Sequence, residues 1–189
     1  TNLHIRHPHY GSQRLKDALV DHFRDSTGIR PNVDSKNPDV SFWAHMEADQ
    51  LKLSLDFSGV SLHQRGYRQQ QGSTSLKENL AAALLWQCGW PTKAQNGAAL
   101  LDPMCGSGTI LAEGLLMAAD WAPGLIRKNF GFQSWSGFDA GTWKRLRQEA
   151  IERRADGLDN LPPIIGGDHA DQAIEQTKYN LQKLGILDH

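Results

Sequence analysis

The segment that most constrains the fold occupies residues 98–113. Ala98-Ala99-Leu100-Leu101 is an apolar run of strand length. Asp102-Pro103-Met104-Cys105-Gly106-Ser107-Gly108 interrupts it with glycines two apart, and Thr109-Ile110-Leu111-Ala112-Glu113 resumes with helical composition. A strand that turns through glycines into a helix gathers backbone amides and a helix N-terminus at one point. That is the layout in which a backbone loop cradles a nucleotide-like ligand.

The chain after this turn reads as α/β. Residues 109–119 continue as an apolar helix closed by Asp120-Trp121-Ala122-Pro123-Gly124, and residues 129–141, with Phe130, Phe132, Trp135 and Phe138, read as an ordered loop. Residues 143–155 predict a charged helix with Trp143, Leu146, Ala150 and Ile151 inward. Residues 163–168 predict a strand ending in the carboxylate of Asp168. A last helix over 170–184 keeps Ala173, Ile174, Thr177, Leu181 and Leu184 on its apolar face and stops at Gly185. Strand, helix, helix, strand, helix opens a doubly wound parallel sheet.

The chain before the turn reads as α+β. Residues 1–8 predict a strand or its tail. Leu15, Leu19 and Phe23 recur every four residues and predict an amphipathic helix over 11–24. Val40, Phe42, Ala44 and Met46, then Leu51, Leu53, Leu55 and Phe57, alternate with polar neighbours on either side of residues 47–50, predicting a hairpin with one buried face. Residues 58–74 carry no apolar period and read as a linker. Ser75 with Glu78 reads as a capping box that opens a helix over 76–88, with Leu80, Ala81, Ala83 and Leu84 packing, Gly89 as its stop and Trp90-Pro91 as its exit.

Composition narrows the function classes. Of 189 residues 39% are apolar and 22% charged, as in a folded globular protein. The sequence shows neither a run long enough to cross a membrane nor a secretory leader, and the expected location is the cytoplasm. Cys88 and Cys105 match neither a disulfide framework nor a zinc cluster. A net charge of −1 provides no global basic field for nucleic acid. Residues 1–66 nevertheless hold six of the eight histidines, so a locally basic face is open to this part of the chain. The group His4, His7 and His9 matches no known ligand spacing and reads as a solvated strand face; no metal is expected. The first residue is Thr1, not Met, and the chain is expected to start inside a larger protein.

The turn discriminates among nucleotides. A phosphate loop of the Walker type needs a lysine after its second glycine, where this chain has Thr109, and a dinucleotide fingerprint needs a third glycine where it has Leu111. Asp102 at the entrance would repel a pyrophosphate and suit a ligand bearing an amino group. S-adenosylmethionine has an amine, a sulfonium, a ribose diol and an adenine without any phosphate, and it fits best. Gly106 and Gly108 let the backbone approach such a ligand, and Ser107 and Thr109 present hydroxyls and amides. Asp168, at the next strand end, would accept the ribose hydroxyls, each charged hydrogen bond contributing about 1.5–3 kcal/mol; its alternative is a helix N-cap. Cys105 reads as a small buried turn residue. Glu113 either orients the loop, meets the methionine end or answers the helix dipole.

Asp102-Pro103-Met104-Cys105-Gly106-Ser107-Gly108-Thr109 followed by Glu113 resembles motif I of the class I methyltransferases that carry an N-terminal THUMP domain. Gly66-Tyr67-Arg68 and Leu76-Lys77-Glu78-Asn79-Leu80-Ala81-Ala82-Ala83-Leu84 resemble the segment that precedes it. Gly167-Asp168 with Asn180-Leu181 and Leu184-Gly185 resembles the second adenosine-binding motif. Arg6, Tyr10-Gly11 and residues 15–21 resemble the later half of THUMP. The likeness is strongest to bacterial large-subunit ribosomal RNA guanine-N2 methyltransferases. It implies a partial Rossmann-like class I methyltransferase core preceded by a partial α+β THUMP domain: THUMP-like residues 1–66, linker 67–75 and methyltransferase residues 76–189. It implies S-adenosylmethionine on Asp102, Pro103, Cys105, Gly106, Ser107, Gly108, Thr109, Glu113 and Asp168. It also implies large-subunit ribosomal RNA as partner, with Arg6, Arg14, Lys16, Arg65 and Arg68 toward phosphate and Tyr67 toward a base. The family's Asn-Pro-Pro-Tyr motif does not follow Asp168, and Asn160-Leu161-Pro162-Pro163 does not replace it. The expectation is therefore a fragment holding the cofactor half of a site, with no catalytic residue in this chain. The alternatives are a non-catalytic RNA-binding module and a methyltransferase for another base or a small molecule.

Overall fold

The computed structural model describes residues 7–36, 38–47, 50–68 and 75–185. The chain forms two compact units, Thr1–Gly59 with Phe130–Phe138, and Val60–Asn129 with Asp139–His189.

In the first unit, helix α1 spans Pro8–Thr27 and ends on Gly28, whose φ of 75° closes it by donating to Arg24 O. Pro8 starts the helix where a strand or its tail was expected; a proline at the first helical position loses no hydrogen bond and presets φ. Residues 1–6 of that expected strand, with His4 and Arg6, lie outside the described residues. Strands β1 (Ser41–Glu47) and β2 (Gln50–Asp56) pair antiparallel as the expected hairpin, Phe42 opposite Leu55 and Met46 opposite Leu51. The apolar face so created is not buried: Leu51 and Leu55 are about half exposed, and an open groove of about 1550 Å³ lies between this face and the Leu15, Leu19 and Phe23 stripe of α1. Matching apolar patterns produced the register, and α1 does not close over it. The aromatic loop joins this unit in the expected ordered form: Phe132 N donates to Phe57 O, Phe130 stacks on Phe132 with centroids 5.1 Å apart, and Trp135 meets Phe57.

The second unit holds the glycine turn. Strand β3 (Leu100–Asp102) lies parallel to β4 (Ile164–Gly166), Leu101 beside Ile165, as a crossover through helices requires. Helix α2 is Glu78–Gln87, α3 Trp90–Gln95, α4 Thr109–Ala118, α5 Ala140–Leu158 and α6 Asp171–Lys183. Leu111, Ala112, Leu115 and Leu116 of α4 are all buried, so α4 is the helix around which this core is built. Tyr67, Ala119, Trp121 and Leu184 close one side of it, and Leu85, Trp90 and Ala94 the other.

Three local expectations fail for packing reasons. Gly89, at φ 72°, stops α2 as expected, but Trp90-Pro91 is not an exit: Gly89 is also the N-cap of α3, and Trp90 turns inward to donate from Nε1 to Gly114 O at 2.7 Å. On α2, Ala81 and Leu85 are buried while Leu80 and Leu84 are exposed, so the inward face is rotated from the expected one. No residue of α5 is buried, and Leu146 and Ile151 stand at least a third exposed.

Gly157 marks where α5 touches the core. A Cβ there would overlap the carbonyl group of Ala119, which is backbone and has no rotamer to yield. Helix propensity alone predicts that Gly157→Ala stabilises by about 1 kcal/mol. The overlap predicts the opposite sign, a loss of about 1–3 kcal/mol, and urea unfolding monitored by circular dichroism distinguishes the two.

Candidate functional site

The site grows from the parallel pair β3–β4. Beyond the last ladder residues the two chains stay bonded: Gly167 N donates to Asp102 O and Cys105 N donates to Gly167 O, each at 2.9 Å. The turn then closes on itself, Gly108 N donating to Cys105 O at 2.8 Å, with Gly106 and Gly108 at φ values of 55° and 78°. Both values lie in the left-handed region that suits glycine. Asp102 Oδ1 accepts from Met104 N at 3.2 Å, an Asx-type turn that starts the departure from the strand.

Asp168 meets the turn directly. Its Oδ2 accepts from Gly106 N at 2.9 Å, its Oδ1 accepts from Ala170 N at 3.0 Å, and the side chain is only 10% exposed. These amide donors, Ala170 first, hold its carboxyl below the usual carboxylate value of 3.8. Oδ2 keeps a second lone pair for a ligand hydroxyl, while His169 Nδ1 stands 3.2 Å from Oδ1 beside the Ala170 amide. Ser107 and Thr109 are buried in the turn, their hydroxyls 3.5 Å apart, and Ser75 Oγ comes within 3.4 Å of Ser107 Oγ. The structure thus brings Asp102, Cys105, Gly106, Ser107, Gly108, Thr109 and Asp168 together. Pro103 follows Asp102 on the exposed outer side of the turn.

Glu113 sits one turn further along α4 and is 2% exposed. Tyr67 Oη donates to its Oε1 at 3.0 Å, and Arg65 reaches both oxygens at 3.4 Å. Burial pushes its carboxyl up, against the pull of Arg65. Burial and the neighbouring Glu113 push the Tyr67 phenol well up as well.

This cluster corrects three expectations. Tyr67 is 1% exposed, so it presents no face to a base. Arg65 is turned to Glu113, and Arg68 forms a buried pair with Glu78 at 2.9 Å while donating to Leu76 O at 2.7 Å. Neither guanidinium faces outward to a phosphate. Glu78 is therefore occupied, α2 starts at Lys77 without a side-chain cap, and the Ser75–Glu78 capping box does not form. A buried arginine partner outweighs a surface cap for this carboxylate. Arg14 and Lys16 lie on α1 in the other unit, where Lys16 pairs with Asp17 at 2.6 Å.

Two groups that the sequence reading did not place at the turn come from α6. Thr177 Oγ1 donates to Gly106 O at 2.8 Å, and Asn180 Nδ2 donates to Ser107 O at 3.0 Å. Thr177 follows the helical period as an apolar position, so periodicity hides its hydroxyl. A buried polar residue facing a glycine turn is visible only in three dimensions.

Comparison with known proteins agrees with this geometry. Residues 65–189 match the model of the RMKL-like methyltransferase domain family, and residues 2–56 match the THUMP domain. The chain is 50% identical over 185 residues to the ribosomal RNA large subunit methyltransferase K/L of Pseudomonas paraeruginosa, covering 97% of this chain and 26% of that protein. It spans about a quarter of the length of the curated relatives it matches. Among solved structures, a predicted N6-adenine-specific DNA methylase from Listeria monocytogenes superposes with a TM-score of 0.75 at 32% identity, covering 91% of this chain and 43% of that one. A protein described as a methyltransferase complexed with SAH superposes with a TM-score of 0.75 at 30% identity, covering 92% and 44%.

The Asp168 bonds set a pH dependence. A carboxyl whose pKa falls on folding contributes stability above its unfolded value and loses it as the pH falls through the lower folded value. The stability difference between the wild-type chain and Asp168→Asn is therefore expected to be constant above about pH 5 and to shrink below pH 3.8. Urea titrations at pH 7 and pH 3 measure it; a difference that grows on acidification contradicts the assigned bonds.

Proposed function

This chain belongs to the RMKL-like methyltransferase family, with a THUMP domain ahead of the methyltransferase domain, and on that premise we propose that it binds S-adenosylmethionine for transfer of the methyl group to large-subunit ribosomal RNA. The observation that carries the reading is the joint made by Asp168 and the glycine turn, in which one carboxylate accepts from Gly106 N and a Cβ on Gly106 would meet only open space. The donor set suits the group. A carboxylate at each strand end favours an amine and a diol, and position 109, where a phosphate loop places its lysine, is a threonine. The SAH complex of a structural relative supports the same ligand.

In this reading Asp102 faces the amino group of the methionine part and Asp168 the ribose hydroxyls. Cys105, Gly106, Ser107, Gly108 and Thr109 line the turn beside them, with Pro103 at its edge. Glu113, enclosed by Arg65 and Tyr67, holds residues 65–68 to α4 and acts on the site through the backbone. The bound cofactor supplies a methyl group made electrophilic by the sulfonium. The residues of this chain bind and orient that group, and rate acceleration from such positioning needs little covalent participation by the protein.

The substrate assignment is finer. We assign the target as the exocyclic N2 amine of a guanine, on the resemblance of the Asp102–Thr109 motif to guanine-N2 enzymes, with the names of the K/L relatives supporting ribosomal RNA. THUMP-like residues 1–66 would assist in holding the RNA, with Arg14 on α1 exposed for that purpose. Cytoplasmic action follows from the substrate. Among the described residues no helix is long and apolar enough to cross a membrane, and no group of metal-binding side chains gathers.

Calorimetric titration with S-adenosylhomocysteine is the test. Binding is expected in the wild-type chain and is expected to weaken at least about tenfold in Asp168→Ala, the loss of one to two charged hydrogen bonds. A 2′-deoxy analogue should lose affinity in the wild type and little more in Asp168→Ala. Equal affinity of wild type and variant for S-adenosylhomocysteine would sink the ribose assignment.

A further inference from the structure

We infer that Thr177 and Asn180 are positioning residues of this site, two side chains of α6 that aim the peptide groups of the glycine turn without contacting the ligand. The inference rests on the cofactor reading above. Thr177 is 6% and Asn180 1% exposed, so neither has surface to offer a ligand. Their value lies in which atoms they hold.

A trans peptide is planar, with its carbonyl and its N–H pointing to opposite sides. Thr177 Oγ1 holds Gly106 O toward α6 at 2.8 Å, and this fixes the Ser107 N–H in the opposite direction. Asn180 Nδ2 holds Ser107 O at 3.0 Å, which directs the Gly108 N–H to Cys105 O. The next carbonyl, Gly108 O, accepts from Ala112 N, and Gly106 N is taken by Asp168. Among the described residues this leaves the amides of Ser107 and Thr109 as the donors of the turn with no protein acceptor. Two glycines within three residues give a segment many accessible conformations. The donors from α6 select one of them.

Packing reinforces the selection. A Cβ on Gly108 would lie 2.8 Å from Thr177 Cγ2 and 2.9 Å from Oγ1, so the threonine occupies the space that the glycine leaves. The same hydroxyl stands 3.6 Å from Cys105 Sγ. The methyl group therefore packs while the hydroxyl donates, and two substitutions separate the roles. Thr177→Val keeps the volume and removes the donor; Thr177→Ser keeps the donor and removes the methyl.

Titration of the full chain with S-adenosylhomocysteine, alongside thermal melting, tests the assignment. Thr177→Val is expected to bind about tenfold more weakly or worse, the cost of one buried hydrogen bond and its misdirected amide. Thr177→Ser should stay within about threefold of wild type, although its melting temperature falls as well through the lost packing. Asn180→Leu should follow Thr177→Val. Wild-type affinity in Thr177→Val, or equal losses in Val and Ser, overturns the inference. If the wild-type chain takes up no S-adenosylhomocysteine, the cofactor reading falls, and the positioning is decided in the ligand-free protein by amide hydrogen exchange. Faster exchange at Gly106 and Gly108 in Thr177→Val but not in Thr177→Ser upholds it, and equal exchange in all three proteins overturns it.

Discussion

The bond from Gly106 N to Asp168 Oδ2 is the constraint on which the second unit's site depends. β3 and β4 are only three residues each, and a parallel pair so short gives little cohesion by itself. The ladder is prolonged past the strands by the reciprocal backbone bonds of Asp102, Cys105 and Gly167, and it is completed by the charge-assisted bond that Gly106 N donates to the Asp168 carboxylate. The turn is thereby attached to a second strand end, and the two ends share one opening. A ligand that reads both carboxylates finds them at a fixed separation.

Beneath the turn the same principle operates with charges removed from water. Glu113 and Glu78 are almost fully buried, and each is met by an arginine from the segment around Gly66-Tyr67-Arg68. Removing one member of such a buried pair costs about 3–5 kcal/mol, because the other charge is left unsatisfied. The pairs hold this segment against α4 and α2, and Tyr67 enters the core between them. Residues that in sequence look like a basic, aromatic surface for RNA are instead the fastening of the methyltransferase core. Glu113 meets Tyr67 and Arg65 across 46 and 48 residues, which leaves no local trace.

Several elements were legible in local sequence. The strand, glycine turn and helix of residues 100–118, the hairpin of residues 41–56 and the helix over 171–183 follow from period and punctuation, which act between near neighbours, and the parallel pair β3–β4 follows from the order of the elements. Errors cluster where a partner comes from outside the element that the period describes. Glu78 abandoned its capping box for Arg68, Trp90 turned inward to reach Gly114 O, and the α2 face rotated toward Ala81 and Leu85. The hairpin kept its pattern although its apolar face is open, since register depends on the two strands while burial depends on a third element.

The sequence alone establishes that the chain contains a glycine turn between a strand and a helix, that the turn lacks the lysine of a phosphate loop and the third glycine of a dinucleotide site, and that carboxylates stand at both strand ends. Residue identity and spacing carry all three, because they are properties of consecutive atoms along the backbone. Tertiary structure decided that Asp168 joins the glycine turn while Glu113 is buried beside Arg65. It also decided that Thr177 and Asn180, some seventy residues beyond the turn, direct its carbonyls. Those outcomes depend on which groups lose their water together when α4 and α6 pack, and desolvation is set by the assembled neighbours of a residue.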